Sequence, residues 1–209
     1  MAYFPMYQQL QNRNILIVGG GKVALRKAEA LLPFGPRITV VAPEVLPRFR
    51  ELGLTVERRP FRQEDVTGEL FCVIAACSSR EVNRQVGLLC REKSIPVNVA
   101  DDPELCSFLF PSVVTKGPLT LGISTSGASP TAAKWLRETL EQLIPDSMEE
   151  ILAWLGQQRT FIQSALPTPQ QRSRCQRKLF AACMEQAGPL SHGQRDEIIA
   201  ACRKNTEES

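Results

Sequence analysis

Residues 15–24 read ILIVGGGKVA, an apolar run that stops at three glycines and resumes as a helix-forming segment. From Gly19 the spacing is G-x-G-x-x-A, closing on Ala24. A strand, this turn and a helix in that order form the phosphate-binding start of a dinucleotide-binding α/β unit. The first glycine permits the tight turn, and the second lets a pyrophosphate approach the backbone. A small third residue lets the helix pack closely on the strand. The free amides and positive end of the helix attract the phosphates. Gly19, Gly20 and Gly21 are therefore candidate cofactor-binding residues, the plain alternative being a βα turn that binds nothing.

The pattern after the turn supports a parallel sheet with helices on its faces. Apolar runs predict strands over 14–18, 37–42, 54–58, 70–76 and 95–100, and helical spacing predicts helices over 23–34 and 79–93. The run LFCVIAA at 70–76 suits a strand buried on both faces. Beyond Asp101 the crossovers stop. Residues 108–115 and 119–125 read as two strands joined at Lys116-Gly117-Pro118, an antiparallel pair that needs a partner surface, either the main sheet or another subunit. Ser129-Pro130 starts a helix that runs to 143 or 144, followed by helices over 146–164, 170–186 and 191–204. The expected fold is α/β: a Rossmann-like domain over 1–113, a small antiparallel ribbon with its helix over 114–145, and an α-helical domain over 146–209.

In an open parallel sheet the ligand crevice lies at the carboxyl ends of the strands. Strand two ends at Ala42-Pro43 without the carboxylate that commonly holds the ribose of NAD; Glu44 follows, either at the ribose or as a solvated loop residue. No arginine follows the strand directly, which favours NAD over NADP, although Arg48 and Arg50 stand nearby. The strand at 95–100 runs into Asp101-Asp102-Pro103, so Asp101 falls where chemistry is done. It reads either as a proton acceptor or as a turn-capping carboxylate.

Composition narrows the classes. The chain has 209 residues, 25 basic against 22 acidic for a formal charge of +3, a balance that argues against a dedicated nucleic-acid binder. Its seven cysteines are odd in number and contain no C-x-x-C pair, which suits reduced thiols in the cytoplasm. No apolar stretch has the length of a membrane span, and the amino terminus lacks the pattern of a secretory signal. The single histidine, His192, reads as a surface residue, and no metal-ligand set is expected.

Three segments, GGGKVALRKAEALL at 19–32, VNVADDPELCSFLFPS at 97–112 and LTLGISTSGASPTAAKWLRETLE at 119–141, together resemble the precorrin-2 dehydrogenase/sirohydrochlorin ferrochelatase family. The resemblance runs along essentially the whole chain. It implies NAD-dependent oxidation of precorrin-2 to sirohydrochlorin, with Asp101 as the functional aspartate and with Lys22, Val23, Pro43 and Glu44 at the dinucleotide. It also implies a homodimer joined through the ribbon and the helices after it, and a stand-alone form of the module fused to a methyltransferase in bifunctional siroheme synthases. The loop Ser124-Thr125-Ser126 matches a serine- and glycine-rich loop before the long helix; its hydroxyls and helix-start amides suit substrate carboxylates, the plain alternative being helix capping, above all for Ser129. In the bifunctional enzymes a second serine stands at the position of Thr125 and a glycine at that of Ser126. Precorrin-2 carries eight carboxylates, so Lys134 and Arg137, with Arg26 and Lys27, are candidate cations for it. Insertion of ferrous or cobaltous ion into sirohydrochlorin is a second activity that the resemblance allows, as an addition or as the main reaction. A non-enzymatic NAD(H)-binding redox sensor is the remaining class; the tail from Asp146 offers it no obvious recognition helix.

Overall fold

The computed structural model describes residues 3–100 and 102–204. Five parallel strands form one sheet: β1 (Asn14–Val18), β2 (Arg37–Val41), β3 (Thr55–Glu57), β4 (Leu70–Ala75) and β5 (Val97–Val99), in the order β3-β2-β1-β4-β5. The strand sequences dictate burial on both faces. Ile15 and Ile17 of β1 project into one core with Ala24, Ala28, Val40, Phe49 and Ile74, while Leu16 and Val18 project into the other with Val73, Val86, Cys90 and Val97. Each fully buried aliphatic side chain contributes about 1.5–3 kcal/mol, so these two layers hold the sheet.

Helix α1 (Lys22–Leu31) covers the first face and α3 (Arg80–Glu92) the second; between them α2 (Arg48–Glu51) is a single turn that seats Phe49. The strands and helices expected from the sequence are present, with differences at their ends. The helix expected over 23–34 ends at Leu31 and tightens into a 3-10 turn over Leu32–Phe34, because Pro33 lacks an amide for an α-helical bond and Gly35 turns the chain at φ 70°. The single turn at α2 and the 3-10 turn Gln63–Asp65 were not signalled by periodicity; both are too short to show one.

The chain divides into two compact units, Met1–Pro111 and Ser112–Ser209. The second unit opens with an antiparallel hairpin, β6 (Ser112–Lys116) and β7 (Leu119–Ile123). The strand expected over 108–115 begins only at Ser112. The carbonyl of Phe108 accepts from the Asn98 side chain at 3.0 Å, and Pro111 has no amide for a ladder, so 108–111 run irregularly along β5.

Helix α4 (Pro130–Leu143) follows with Ser129 as its cap, the hydroxyl accepting from the amide of Ala132 at 3.1 Å. Helices α5 (Met148–Ala165), α6 (Pro169–Glu185) and α7 (His192–Lys204) then pack around Ile151, Ile162, Leu166, Cys175, Leu179, Cys183 and Ile199. Thr168 and Gln171 form a reciprocal capping box at the start of α6. Among the described residues no helix is long and apolar enough to cross a membrane.

Candidate dinucleotide-binding site

The strand order reverses around β1: the chain leaves it toward β2 and β3, then returns on its other side as β4 and β5. That switch opens a crevice at the carboxyl ends of β1 and β4, and the three glycines lie in it. Gly19 has φ 132°, and a Cβ there would collide with the carbonyl of Ala76, just past the end of β4. Its amide donates to Val41 O at 3.0 Å, so the turn is tied to β2 as well. Gly20 has the backbone of Glu44 and Val45 against it, closely enough to exclude a side chain, and its carbonyl accepts from the amide of Leu46 at 3.0 Å. Gly21 differs: nothing lies within 4 Å of where its Cβ would be.

Gly21 is also the N-cap of α1, and it brings no side chain to cap the helix. The first turn of α1 contains no acidic residue and begins with Lys22. A helix start usually receives a capping oxygen or a carboxylate; this one presents bare amides, a lysine and open space. Ala24 is fully buried against the sheet, as close helix–strand packing requires. A diphosphate fits this cradle, with Gly21 allowing backbone approach and the amides of the first turn facing the anion. Lys22 is exposed and Val23 is 41% exposed beside them.

Pro43 and Glu44 are exposed just beyond β2, and the contact of Glu44 and Val45 with Gly20 brings them to the same turn. The structure thus gathers Gly19, Gly20, Gly21, Lys22, Val23, Pro43 and Glu44 at one end of the sheet. Arg48 is engaged elsewhere, bonded to Glu29 at 3.5 Å and Glu51 at 3.0 Å, and these carboxylates hold its guanidinium pKa above the usual value. Asp101, the expected functional aspartate, lies outside the described residues.

Two buried amides that periodicity did not single out organise this end. Asn83 of α3 accepts from the Cys77 amide at 3.1 Å and donates to the Cys77 carbonyl at 3.0 Å, holding the chain where it leaves β4. Asn98 of β5 accepts from Lys27 Nζ at 2.8 Å. The usable signal was an asparagine on the otherwise apolar face of a helix or in a buried strand, since a buried amide needs partners. From the sequence Lys27 reads as a candidate cation for substrate carboxylates; in the structure its ammonium is bonded to Asn98.

In the second unit the loop before α4 is held by its own hydroxyls. Thr125 Oγ1 accepts from the Ser129 amide and donates to the Ser129 carbonyl, both at 3.1 Å, and Ser124 Oγ accepts from the Ser126 amide at 3.1 Å. Ser126 has φ 53° and is exposed. On α4 Arg137 bonds Glu141 at 2.6 Å and Glu138 at 3.1 Å, while Lys134 lies 3.9 Å from Glu138. Such exposed pairs exchange readily with solvent or an anion. Among the described residues no group of three or more His, Cys, Asp or Glu side chains is placed to hold a metal ion.

Residues 6–112 match the family model for NAD(P)-binding proteins, and residues 116–143 match that of the sirohaem biosynthesis protein central region. The siroheme synthase of Thioalkalivibrio sulfidiphilus is 38% identical over 184 residues, covering 86% of this chain and 37% of that protein. Siroheme synthase 2 of Aeromonas salmonicida is 38% identical, covering 87% of this chain and 38% of that protein. The siroheme synthase of Neisseria meningitidis serogroup C is 36% identical, covering 86% and 38% respectively. The chain thus spans well under half the length of these curated relatives. A solved structure named SirC, precorrin-2 dehydrogenase, superposes with a TM-score of 0.67 at 27% identity, covering 97% of this chain and 100% of that one. With its first half matched by the one model and its middle by the other, the chain belongs to the NAD(P)-binding family of siroheme biosynthesis proteins.

Proposed function

We propose that the protein is a precorrin-2 dehydrogenase, oxidising precorrin-2 to sirohydrochlorin with NAD. The observation that carries this reading is the open, uncapped and positively charged turn at Gly21, set at the strand-order switch of a fold that covers SirC along its whole length. A nicotinamide held here would supply the acceptor for the hydride that the macrocycle loses. Gly19 and Gly20 shape the turn, Gly21 admits the diphosphate, and the amides of Lys22 and Val23 bind it. Glu44, exposed beside Pro43, holds the ribose hydroxyls. No arginine directly follows β2, which favours NAD over NADP. Asp101 takes the proton that leaves the macrocycle with the hydride, which completes the two-electron oxidation.

The macrocycle is an apolar ring with a carboxylate rim. Ser124, Thr125 and Ser126 offer hydroxyls and loop amides to such carboxylates, and Lys134 and Arg137 offer charge. The working form is a homodimer: Trp135 and Leu143 of α4 are 62% and 72% exposed, an apolar helix face that a second subunit would cover. Seven free cysteines support the cytoplasm as the compartment. Anaerobic mixing of the protein with precorrin-2 and NAD tests the reading. NADH absorbance and the sirohydrochlorin spectrum should rise together, and an unchanged spectrum with authentic substrate overturns it. Asp101→Ala should abolish the rise while leaving NADH binding intact; full activity in that variant would remove Asp101 from the chemistry.

A further inference from the structure

Lys27 lies on α1, the helix that starts at the glycine turn, and its ammonium reaches residues of β5 and of the stretch after it. It donates to Asn98 Oδ1 at 2.8 Å and stands 4.3 Å from the centre of the Phe110 ring. Asn98 belongs to β5, which is not a neighbour of β1, since β4 lies between them. Its register partner on β4 is Ile74, whose side chain faces α1. Lys27 therefore spans β4 to reach the far strand. Asn98 is only 6% exposed, and its amide nitrogen donates to Phe108 O at 3.0 Å. One lysine thus links the helix of the dinucleotide turn, the strand that runs into the VNVADD segment, and the irregular stretch 108–110.

A role in filling space does not account for this arrangement. A partly buried ammonium gives up hydration, and an apolar side chain of similar length would fill the position without that cost. The amide acceptor and the aromatic face instead fix where the charge stands. The link ties the helix of the dinucleotide turn to β5, and hydride transfer tolerates little error in the approach of the reacting atoms.

We propose that Lys27 is a positioning residue: by clamping α1 to Asn98 and Phe110 it sets the register between the dinucleotide turn and the carboxyl end of β5. The proposal rests on the reading of the turn as a nicotinamide site in a dehydrogenase. It makes occupancy of the turn felt at β5 through one side chain.

Hydrogen exchange of the full chain with and without NADH tests the clamp apart from activity. In wild type, NADH should slow exchange across residues 97–110; in Lys27→Met that response should vanish while NADH affinity stays within about threefold, and Lys27→Arg should restore it. With precorrin-2 and NAD, kcat should fall about tenfold or more in Lys27→Met with little change in KM, and recover in part in Lys27→Arg. Equal NADH-induced protection of 97–110 in Lys27→Met and wild type, or an unchanged kcat, overturns the proposal. Should Lys27→Met fail to fold, Phe110→Leu removes the ring alone and should weaken the same response; a full wild-type response in it counts against the clamp. If wild type does not oxidise precorrin-2, the dehydrogenase reading falls, and the exchange comparison still judges the clamp.

Discussion

Gly19, Gly20 and Gly21 are identical in the sequence and differ in what surrounds them. Gly19 sits at a positive φ against the Ala76 carbonyl, Gly20 against the backbone of Glu44 and Val45, and Gly21 in open space. Alanine should separate their roles. Gly19→Ala combines a backbone conformation unsuited to a side chain with a clash and should cost about 2 kcal/mol or more in denaturant unfolding. Gly21→Ala should unfold at the wild-type midpoint and lose about tenfold or more in NADH affinity by fluorescence titration, because its new methyl stands where the diphosphate approaches. Equal loss of stability at both positions would show that Gly21 is structural. Asn83→Ala, which leaves the Cys77 amide and carbonyl without their partner, should cost about 1–3 kcal/mol. Burial pushes the thiol of Cys72 up to about 12, that of Cys90 to about 11 and that of Cys175 to about 12. In the native protein a thiol reagent at neutral pH should therefore modify the half-buried Cys77 and Cys106 and spare Cys72, Cys90, Cys175, Cys183 and Cys202. Rapid modification of all seven would contradict this packing.

Between elements, an ion cluster helps to hold the link from β3 to β4. Arg59 donates to both oxygens of Asp65, at 2.8 Å and 2.6 Å, and also bonds Glu57, while the Arg62 amide donates to Asp65 at 2.8 Å. The hydrogen bonds from Arg59, chiefly, hold the Asp65 carboxyl below its ordinary range despite its partial burial. A carboxyl depressed in the folded state stabilises it above the unfolded pKa, near about 4, and loses that contribution as pH falls toward the folded value. Asp65→Asn should therefore unfold earlier than wild type near neutral pH, and the gap should close below about pH 4. A gap that is constant with pH would exclude an ionic origin. Elements of this size also mark what could be read in advance. The apolar runs at β1, β2 and β4 and the helical spacing of α3 and α4 were legible because sheet and helix burial write period and polarity into the chain. The stretch 108–111 reads as strand because its alternating phenylalanines imitate one, whereas the Phe108 carbonyl accepts from the Asn98 side chain and Pro111 has no amide for a ladder. The Lys27 contact joins positions 71 residues apart in sequence, and no local pattern encodes such a pair; Asn83 reaches only six residues back to Cys77, but a single asparagine on a helix does not announce its partner.

For the whole molecule, the strand, glycine turn and helix that open the NAD(P)-binding family match were legible in the sequence, and the choice of macrocycle came from the family resemblance, since neither charge nor period specifies a tetrapyrrole. The exposed face of α4 makes assembly testable: sedimentation should give a dimer, and Leu143→Asp should shift it toward monomer without unfolding the first unit. A wild-type monomer at micromolar concentration would contradict that assembly. Hydride transfer from precorrin-2 to a dinucleotide seated at Gly19–Gly21 is read most simply as the amount of nicotinamide reduced per macrocycle oxidised. Under anaerobic conditions, with NAD and NADP in parallel, equimolar NADH and sirohydrochlorin should form, with NAD the faster acceptor. Precorrin-2 left unchanged by both dinucleotides, or oxidised without their reduction, would contradict it.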